Sequence, residues 1–151
     1  MKVTPRKINV FLMLKLPSAY ICGVRVKKIN SKGCITSVRL KWINKNPFKS
    51  LFWAVQGMAA ELSTGTLVML KIKESGRNIS MLVANNNASF LKKAVGRITF
   101  ECKDIDIINA AITKAIQTKE GQTFWVNAKG INKEGIQVCD FNFEWTIKLK
   151  T

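Results

Sequence analysis

The stretch Leu51–Leu62 constrains the fold more than any other part of this sequence. Drawn as a helix it is apolar almost all the way round, with Gln56 and Glu61 as its only strongly polar members. A helix without a polar face is stable only when other elements surround it. Asn46-Pro47 just before it is typical of a helix start, because asparagine caps free amides and proline fits the first turn. The sequence therefore predicts a buried central helix that begins near Asn46.

The segments on either side of this helix have the composition of antiparallel strands. Two hairpins are predicted, each around a polar turn that ends in glycine: Gly23–Ile29 with Cys34–Trp42, and Thr123–Ile131 with Ile136–Leu149. Two further runs have strand character: Asn78–Phe90 and Gly96–Lys103. The final run alternates apolar and polar residues cleanly, which indicates that one of its faces is buried.

Two more helical patterns complete the predicted elements. The central helix is expected to continue to the Ser75-Gly76 break, and Asp104–Thr118 has the apolar spacing of an amphipathic helix that begins at an aspartate cap. Near the N-terminus, Lys15 interrupts the apolar stretch Ile8–Leu16, which disfavours a secretory signal. This stretch is expected to form a lead-in helix that packs on the domain. No run reaches the roughly 18 apolar residues of a membrane span.

Charge and composition limit the classes of function. The chain has 25 Lys and Arg against 9 Asp and Glu, a formal net charge of +16, which favours anionic partners such as nucleic acid, a membrane surface or a phosphate-bearing cofactor. It contains no histidine and no Cys-x-x-Cys pair, so zinc fingers and histidine-dependent metal or nucleophilic sites are excluded. Its four separated cysteines are expected to be reduced thiols in the cytoplasm.

The segment from Asn44 to Gly65 resembles the phenylacetate-pathway type of hotdog-fold thioesterase. Asn46 matches the asparagine of that family's motif, and Ala59-Ala60-Glu61 match its Leu-Ala-Asp. Phe52-Trp53-Ala54 stand where the family has His-Gly-Gly. Downstream, Phe90–Gly96 and Phe143–Lys148 resemble two of the family's strands. The resemblance covers most of the chain and is closest to a histidine-free branch of unknown function.

The resemblance implies an α+β hotdog fold, in which a curled antiparallel sheet wraps around one long central helix. We expect residues 1–151 to form a single domain of this kind. It also implies a homodimer or a dimer of dimers, because a hotdog monomer leaves sheet edges and half of each site open. The implied ligand is a coenzyme A thioester, with no permanently bound cofactor and no metal.

Thioester hydrolysis needs a carboxylate that activates water or attacks directly, and donors that stabilise the oxyanion. Glu61 is the candidate carboxylate, and its pKa should be raised on a buried helix. Asn46 is a candidate for positioning the thioester or water. Each has a plain structural alternative, in which Glu61 bonds neighbouring backbone and Asn46 only caps the helix.

The remaining candidate residues would bind the substrate. The backbone amides of Lys49, Ser50 and Leu51, at the expected helix N-terminus, are the candidate oxyanion donors. Phe52 and Trp53 would either line the substrate pocket or pack in the hydrophobic core. As pocket residues, their bulk would narrow the space for the thioester. Three basic residues are candidates for the phosphates of coenzyme A, or are a solvated face: Lys92, Lys93 and Arg97.

Three classes of function remain open from the sequence. A thioesterase-like hydrolase is the reading that the motif favours, with catalysis itself left open. A non-catalytic binder of acyl-CoA or a similar acyl ligand would use the same groove. A nucleic-acid-binding module is disfavoured, because the aromatic residues fall in buried patterns and no nucleic-acid motif is present.

Overall fold

The computed structural model describes residues 3–150, which form one sheet and four α-helices within that range. The N-terminal part contains helices α1 (Pro5–Lys15) and α2 (Pro17–Ile21), strands β1 (Arg25–Asn30) and β2 (Gly33–Arg39), and a short 3₁₀ turn (Trp42–Asn44). The rest contains α3 (Trp53–Glu74), β3 (Ile79–Phe90), β4 (Arg97–Cys102), α4 (Ile105–Thr118), β5 (Gln122–Ile131) and β6 (Gln137–Leu149).

All strand pairs in the sheet are antiparallel, in the order β1-β2-β4-β5-β6-β3. Strand β3 pairs with β6 along its whole length, from Ile79 opposite Leu149 to Phe90 opposite Cys139. The other side of β3 has no strand partner within residues 3–150. The sheet therefore ends on one side at a long edge strand and on the other at β1, which helix α1 contacts.

Helix α3 is the central helix that the sequence predicts. It contacts β2, β4, β5 and β6, and its middle turns are buried on every side. Two buried hydroxyl groups bond to carbonyls of this helix: Ser63 donates to the carbonyl of Ala60 at 2.7 Å, and Thr36 of β2 donates to that of Ala59 at 2.6 Å. The α+β architecture of a curled antiparallel sheet around a long central helix is thus confirmed, together with its lead-in helix.

Most predicted elements are confirmed with small shifts at their ends. Both hairpins form around the predicted turns, and the two predicted single strands are β3 and β4. The central helix continues through Gly65 and ends at Glu74, beside the predicted Ser75-Gly76 break. Asp104 precedes α4 as expected, but its side chain accepts from the amide of Asn127 at 2.7 Å instead of capping the helix.

The predicted start of the central helix is wrong. The helix begins at Trp53, and the chain from Asn46 to Leu51 forms a closed loop instead. Lys49 has φ of +61°, in the left-handed region, which interrupts any helical path through this segment. Helix α2, which begins at Pro17, is a second difference, since the sequence analysis predicts no helix there. Among residues 3–150 no helix is both long enough and apolar enough to cross a membrane.

Candidate active site

Glu61 lies in the wall of an apolar pocket between the N-terminal helix and the central helix. The pocket has a volume of about 300 Å³. Helix α1 contributes Ile8 and Phe11 to its lining, and Met81 of β3 and Trp145 of β6 contribute from the sheet. Lys7 and Lys73 are the basic residues of the lining. The space can accept a hydrocarbon chain, because most of its lining is aliphatic or aromatic.

The Glu61 carboxyl group has no hydrogen bond and no ion pair to any residue in the described range 3–150. Burial in this pocket raises its pKa from 4.5 to about 7. The predicted rise is therefore confirmed in direction and in cause. A carboxyl group with a pKa near neutrality can both take up and release a proton under physiological conditions, as a general base requires.

Gly65 and Trp145 fix the surroundings of this carboxyl group. Gly65 is one helical turn after Glu61, and a Cβ atom there would lie 3.2 Å from the Glu61 Oε1 atom and 3.0 Å from the Trp145 ring. The Trp145 indole donates a hydrogen bond to the Thr64 hydroxyl at 3.0 Å, and that hydroxyl donates to the Glu61 carbonyl at 2.9 Å. Trp145 is thus held against the helix beside Glu61.

Asn46 organises the loop before the central helix rather than capping that helix. Its Oδ1 atom accepts from the amides of Phe48 at 2.9 Å and Ser50 at 3.2 Å, and its Nδ2 atom donates to the Ser50 hydroxyl at 2.9 Å. The cap position of α3 is occupied by Phe52, which makes no side-chain cap. The expected role of Asn46 as a helix cap is therefore wrong, because its hydrogen-bonding groups are used within the loop.

The amides of Lys49, Ser50 and Leu51 were expected to be free oxyanion donors, and the structure contradicts this. Lys49 donates to the Asn46 carbonyl at 3.3 Å, Ser50 to the Asn46 side chain, and Leu51 to the Ala94 carbonyl at 2.9 Å. They also precede the helix. The first amides of α3, those of Trp53 and Ala54, have no acceptor within residues 3–150. The free donors of the helix N-terminus thus lie a few residues later than predicted.

A second pocket, of about 440 Å³, lies at the N-terminal end of α3. The predicted substrate-binding residues Ser50, Leu51, Phe52, Trp53, Lys92 and Lys93 all contribute to its lining, together with Asn46. Lys93 also donates to the Phe48 carbonyl at 3.3 Å. Arg97 does not line this pocket and instead donates to the Ser37 hydroxyl at 3.2 Å. The structure therefore separates Arg97 from the two lysines.

Gln56 is a polar residue of this pocket that the sequence analysis did not single out as functional. Its Nε2 atom donates to the Leu51 carbonyl at 3.1 Å, whereas its Oε1 atom is buried without a hydrogen-bond partner in the described part of the chain. A buried acceptor without a partner is costly and is unusual in a native structure. The signal in the sequence was the single uncharged polar residue in an otherwise apolar helical run.

The two pockets lie at different points along α3. Glu61 follows Trp53 by eight residues, which corresponds to about 12 Å along the helix axis. A carboxylate and oxyanion donors must both come within about 3 Å of one reacting thioester group. Within one chain, the Glu61 carboxyl and the free amides at the helix start are therefore too far apart to contact the same thioester group.

Metal-binding clusters and ionised thiols are two further kinds of reactive centre. Residues 3–150 contain no cluster of His, Cys, Asp or Glu arranged to hold a metal ion. Burial raises the pKa of three thiols, those of Cys34, Cys102 and Cys139, to about 12, so none is ionised near neutral pH.

The sequence matches the family model described as a domain of unknown function, DUF4442, over residues 4–147. The chain belongs to this family. No curated protein matches the sequence. Membership of the DUF4442 family by itself assigns no activity to the chain.

Solved structures with the same fold include thioesterases. A protein of unknown function from Chlorobaculum tepidum has a TM-score of 0.84 at 19% identity, covering 97% of this chain and 94% of its own. A thioesterase from Haemophilus influenzae has a TM-score of 0.78 at 13% identity, with coverage of 99% and 93%. A thioesterase from Staphylococcus aureus, solved as a Gln→Ala variant, has a TM-score of 0.65 at 16% identity, with coverage of 83% and 93%. These neighbours confirm the hotdog fold of this DUF4442 protein, a fold that the solved thioesterases share.

Proposed function

We propose that this protein hydrolyses an acyl thioester of the coenzyme A type, with Glu61 as its general base. The observation that carries the proposal is the Glu61 carboxyl group in the wall of an apolar pocket, without a partner among residues 3–150 and with a pKa of about 7. A thioester places a polar carbonyl at the end of a hydrocarbon chain, so its acyl part fits the pocket while its carbonyl meets the carboxylate.

The reaction needs one proton to move twice. The Glu61 carboxylate takes a proton from water as the water oxygen attacks the carbonyl carbon. Backbone amides stabilise the resulting oxyanion, the C–S bond breaks, and the leaving thiolate receives the proton from the Glu61 carboxylic acid. The products are a free acid and a thiol. A pKa near 7 suits this exchange, since neither protonation state of Glu61 is strongly favoured.

In this proposal the active protein is a homodimer. The free amides of Trp53 and Ala54 lie about 12 Å along α3 from Glu61, so a second copy has to bring its helix start to the first copy's carboxylate. The long edge of β3, unpaired within residues 3–150, gives a second copy a strand to pair with. The lysines Lys92 and Lys93 beside the second pocket then face the phosphates of coenzyme A.

A solved neighbour has been substituted at two positions with the same spacing as the candidate residues. The S. aureus thioesterase was prepared as a Gln→Ala variant and separately as a Glu→Ala variant. These two substituted positions are 15 residues apart, the same separation as between Asn46 and Glu61 in this chain. The Glu→Ala neighbour has a TM-score of 0.63 at 15% identity. We also place the protein in the cytoplasm, because Cys22, Cys34, Cys102 and Cys139 are unpaired thiols.

The test is release of free thiol from a panel of acyl-CoA thioesters by the wild type, Glu61→Gln and a matched control, Glu74→Gln. Glu74 also lies on α3, but it is exposed, and among residues 3–150 it pairs with Lys71 at 2.8 Å. We expect Glu61→Gln to lower kcat about a hundredfold or more and Glu74→Gln to leave it unchanged. Equal turnover by all three proteins would overturn the assignment of Glu61.

Direct attack by Glu61 on the thioester is the alternative chemistry, and isotope labelling separates the two. In ¹⁸O-labelled water, water attack places the label in the product acid during the first turnover. Direct attack would form a mixed anhydride with release of the thiolate, and attack of water on the Glu61 carbonyl carbon of that anhydride would leave label in the Glu61 side chain. Mass spectrometry of the peptide that contains Glu61 after a single turnover reads this out.

A non-catalytic binder of acyl-CoA is the second candidate function. It is favoured by the engaged amides of Lys49, Ser50 and Leu51 and by the bulk of Phe52 and Trp53 at the second pocket. A non-hydrolysable acyl-CoA thioether that raises the melting temperature, together with no thiol release from any thioester in the panel, would assign the protein to this class.

A further inference from the structure

The outward surface of helix α1 is apolar, although a surface helix normally turns polar residues to water. Leu12 is the buried residue of α1, whereas Val10, Phe11, Met13 and Leu14 are exposed. Val10 and Leu14 are one turn apart, so they share a face, and Leu14 is 66% exposed. Two more apolar residues, Leu16 and Ile21, are exposed at the ends of α2. We call these six exposed side chains, from Val10 to Ile21, the α1–α2 surface.

The α1–α2 surface is held rigidly. The Asn9 side chain pairs with both backbone groups of Val26 in β1, donating to its carbonyl and accepting from its amide, each at 2.9 Å. Arg25 stacks on the Tyr20 ring of α2 at 3.5 Å and donates to the Tyr20 carbonyl at 2.7 Å. These contacts fix both helices to the edge of the sheet, so the exposed apolar side chains of the α1–α2 surface stay accessible to solvent.

Charge is distributed unevenly in the chain, and the N-terminal part that contains this surface is basic without any acidic residue. The first 60 residues contain 12 Lys and Arg and no Asp or Glu, and the first acidic residue of the chain is Glu61. Arg6 and Lys15 are exposed on α1, and Lys27 and Lys28 are exposed on β1, the strand that α1 contacts. Exposed apolar side chains among basic residues are typical of segments that bind an anionic membrane surface.

We propose that the α1–α2 surface docks on an anionic phospholipid bilayer. Its apolar side chains enter the boundary between headgroups and acyl chains, and the basic residues contact lipid phosphates. A second copy of this chain is a poor occupant for the same surface, because two segments without a single carboxylate would be brought face to face and would repel.

Docking in this orientation has a consequence for the pocket that contains Glu61. Phe11 and Leu16 belong both to the pocket lining and to the α1–α2 surface. The helix that touches the bilayer therefore also covers the pocket, so a hydrocarbon chain reaches the pocket from the membrane along an apolar path. The docking itself does not depend on the proposed hydrolysis, and it is tested without any thioester.

The experiment is flotation of the full chain with vesicles of phosphatidylcholine alone and with vesicles of equal parts phosphatidylcholine and phosphatidylglycerol. The first variant pair is Val10→Ser with Leu14→Ser, and its control is Ile107→Ser with Ile136→Ser, two aliphatic residues exposed to 45% and 40% on α4 and before β6. The second pair is Arg6→Gln with Lys15→Gln, and its control is Lys114→Gln with Lys133→Gln, also exposed. Melting temperatures establish that every variant is folded.

We expect the wild type to float only with the anionic vesicles, and less so at high salt. Each basic residue near an anionic surface contributes about fivefold, so Arg6→Gln/Lys15→Gln should lower the partition coefficient more than tenfold. Val10→Ser/Leu14→Ser should lower it by a similar factor, and both controls should bind like the wild type.

Three results would overturn the inference. The first is absence of flotation by the folded wild type with anionic vesicles. The second is an equal loss of vesicle binding in the variants and their controls. It would mean that binding depends on the overall charge and composition of the protein and not on the α1–α2 surface. The third is dissociation of the oligomer by Val10→Ser/Leu14→Ser in analytical ultracentrifugation with unchanged flotation, which would assign the surface to a contact between copies of the chain.

Discussion

Gly65 lies directly against the ring of Trp145, and a methyl group on Gly65 would come within 3.0 Å of ring atom Cζ2. Trp145 cannot easily move away, because it is buried and donates a hydrogen bond to Thr64 of the same helix. The missing side chain at position 65 thus sets the distance between the central helix and β6 beside Glu61.

This contact predicts whether the substitution Gly65→Ala raises or lowers the stability of the protein. Alanine in place of a helical glycine normally adds about 0.5–1 kcal/mol of stability. At Gly65, overpacking against Trp145 costs about 1–3 kcal/mol, so Gly65→Ala should lower the free energy of unfolding. Gly57→Ala is the matched control on the same helix, because its Cβ would lie an ordinary 3.4 Å from Phe141. Urea denaturation should show Gly57→Ala as neutral or stabilising. A higher free energy of unfolding for Gly65→Ala would contradict the prediction that the added methyl group overpacks against Trp145.

The raised pKa of Glu61 predicts a pH dependence of stability. Below pH 4.5 the carboxyl group is protonated in both the folded and the unfolded chain, and no cost arises. Between 4.5 and about 7 the unfolded chain ionises first, so stability falls as pH rises, and above about 7 the full cost of roughly 3 kcal/mol is present. Glu61→Gln should therefore be more stable than the wild type at pH 8. Urea denaturation across this pH range measures the difference, which should disappear at pH 4.

Lys92 and Lys93 line the second pocket, and this position predicts that they affect substrate binding but not the chemical step. Lys92→Ala/Lys93→Ala should raise KM for an acyl-CoA thioester about five- to tenfold with little change in kcat, because charge that binds phosphates acts equally on the ground and transition states. Arg97→Ala is the control, since Arg97 bonds to Ser37 away from the second pocket. A truncated thioester without phosphates should show no difference. An equal increase in KM with both substrates would indicate damage to the pocket instead.

The loop contacts of Asn46 predict a loss of stability on its removal. Asn46→Ala leaves the amides of Phe48 and Ser50 without their acceptor and should cost about 1–2 kcal/mol. Asn46→Asp keeps that acceptor and should lose less stability than Asn46→Ala. Thermal unfolding of the two variants gives the comparison. Equal losses would indicate that the donor Nδ2 atom, and not the acceptor, holds the loop.

Local sequence patterns determined most of the secondary structure. The alternation from Phe141 to Leu149 predicts β6, and the polar turns that end in Gly33 and Gly135 predict both hairpins, because strand and turn signals depend on neighbouring residues alone. The all-apolar run predicts that α3 is buried. The same local rules failed at Asn46, where a loop uses the asparagine that a helix start would also use.

The sequence by itself determined that Glu61 lies on a buried helix, and from this the direction of its pKa shift follows. Only the tertiary structure decided what surrounds the carboxyl group, since Trp145 and α1 reach it from distant parts of the chain. It also separated Arg97 from Lys92 and Lys93, and it left the side chains of Val10 and Leu14 facing outward. Periodicity shows which residues of a helix share a face, but the packing of the other elements decides what that face meets.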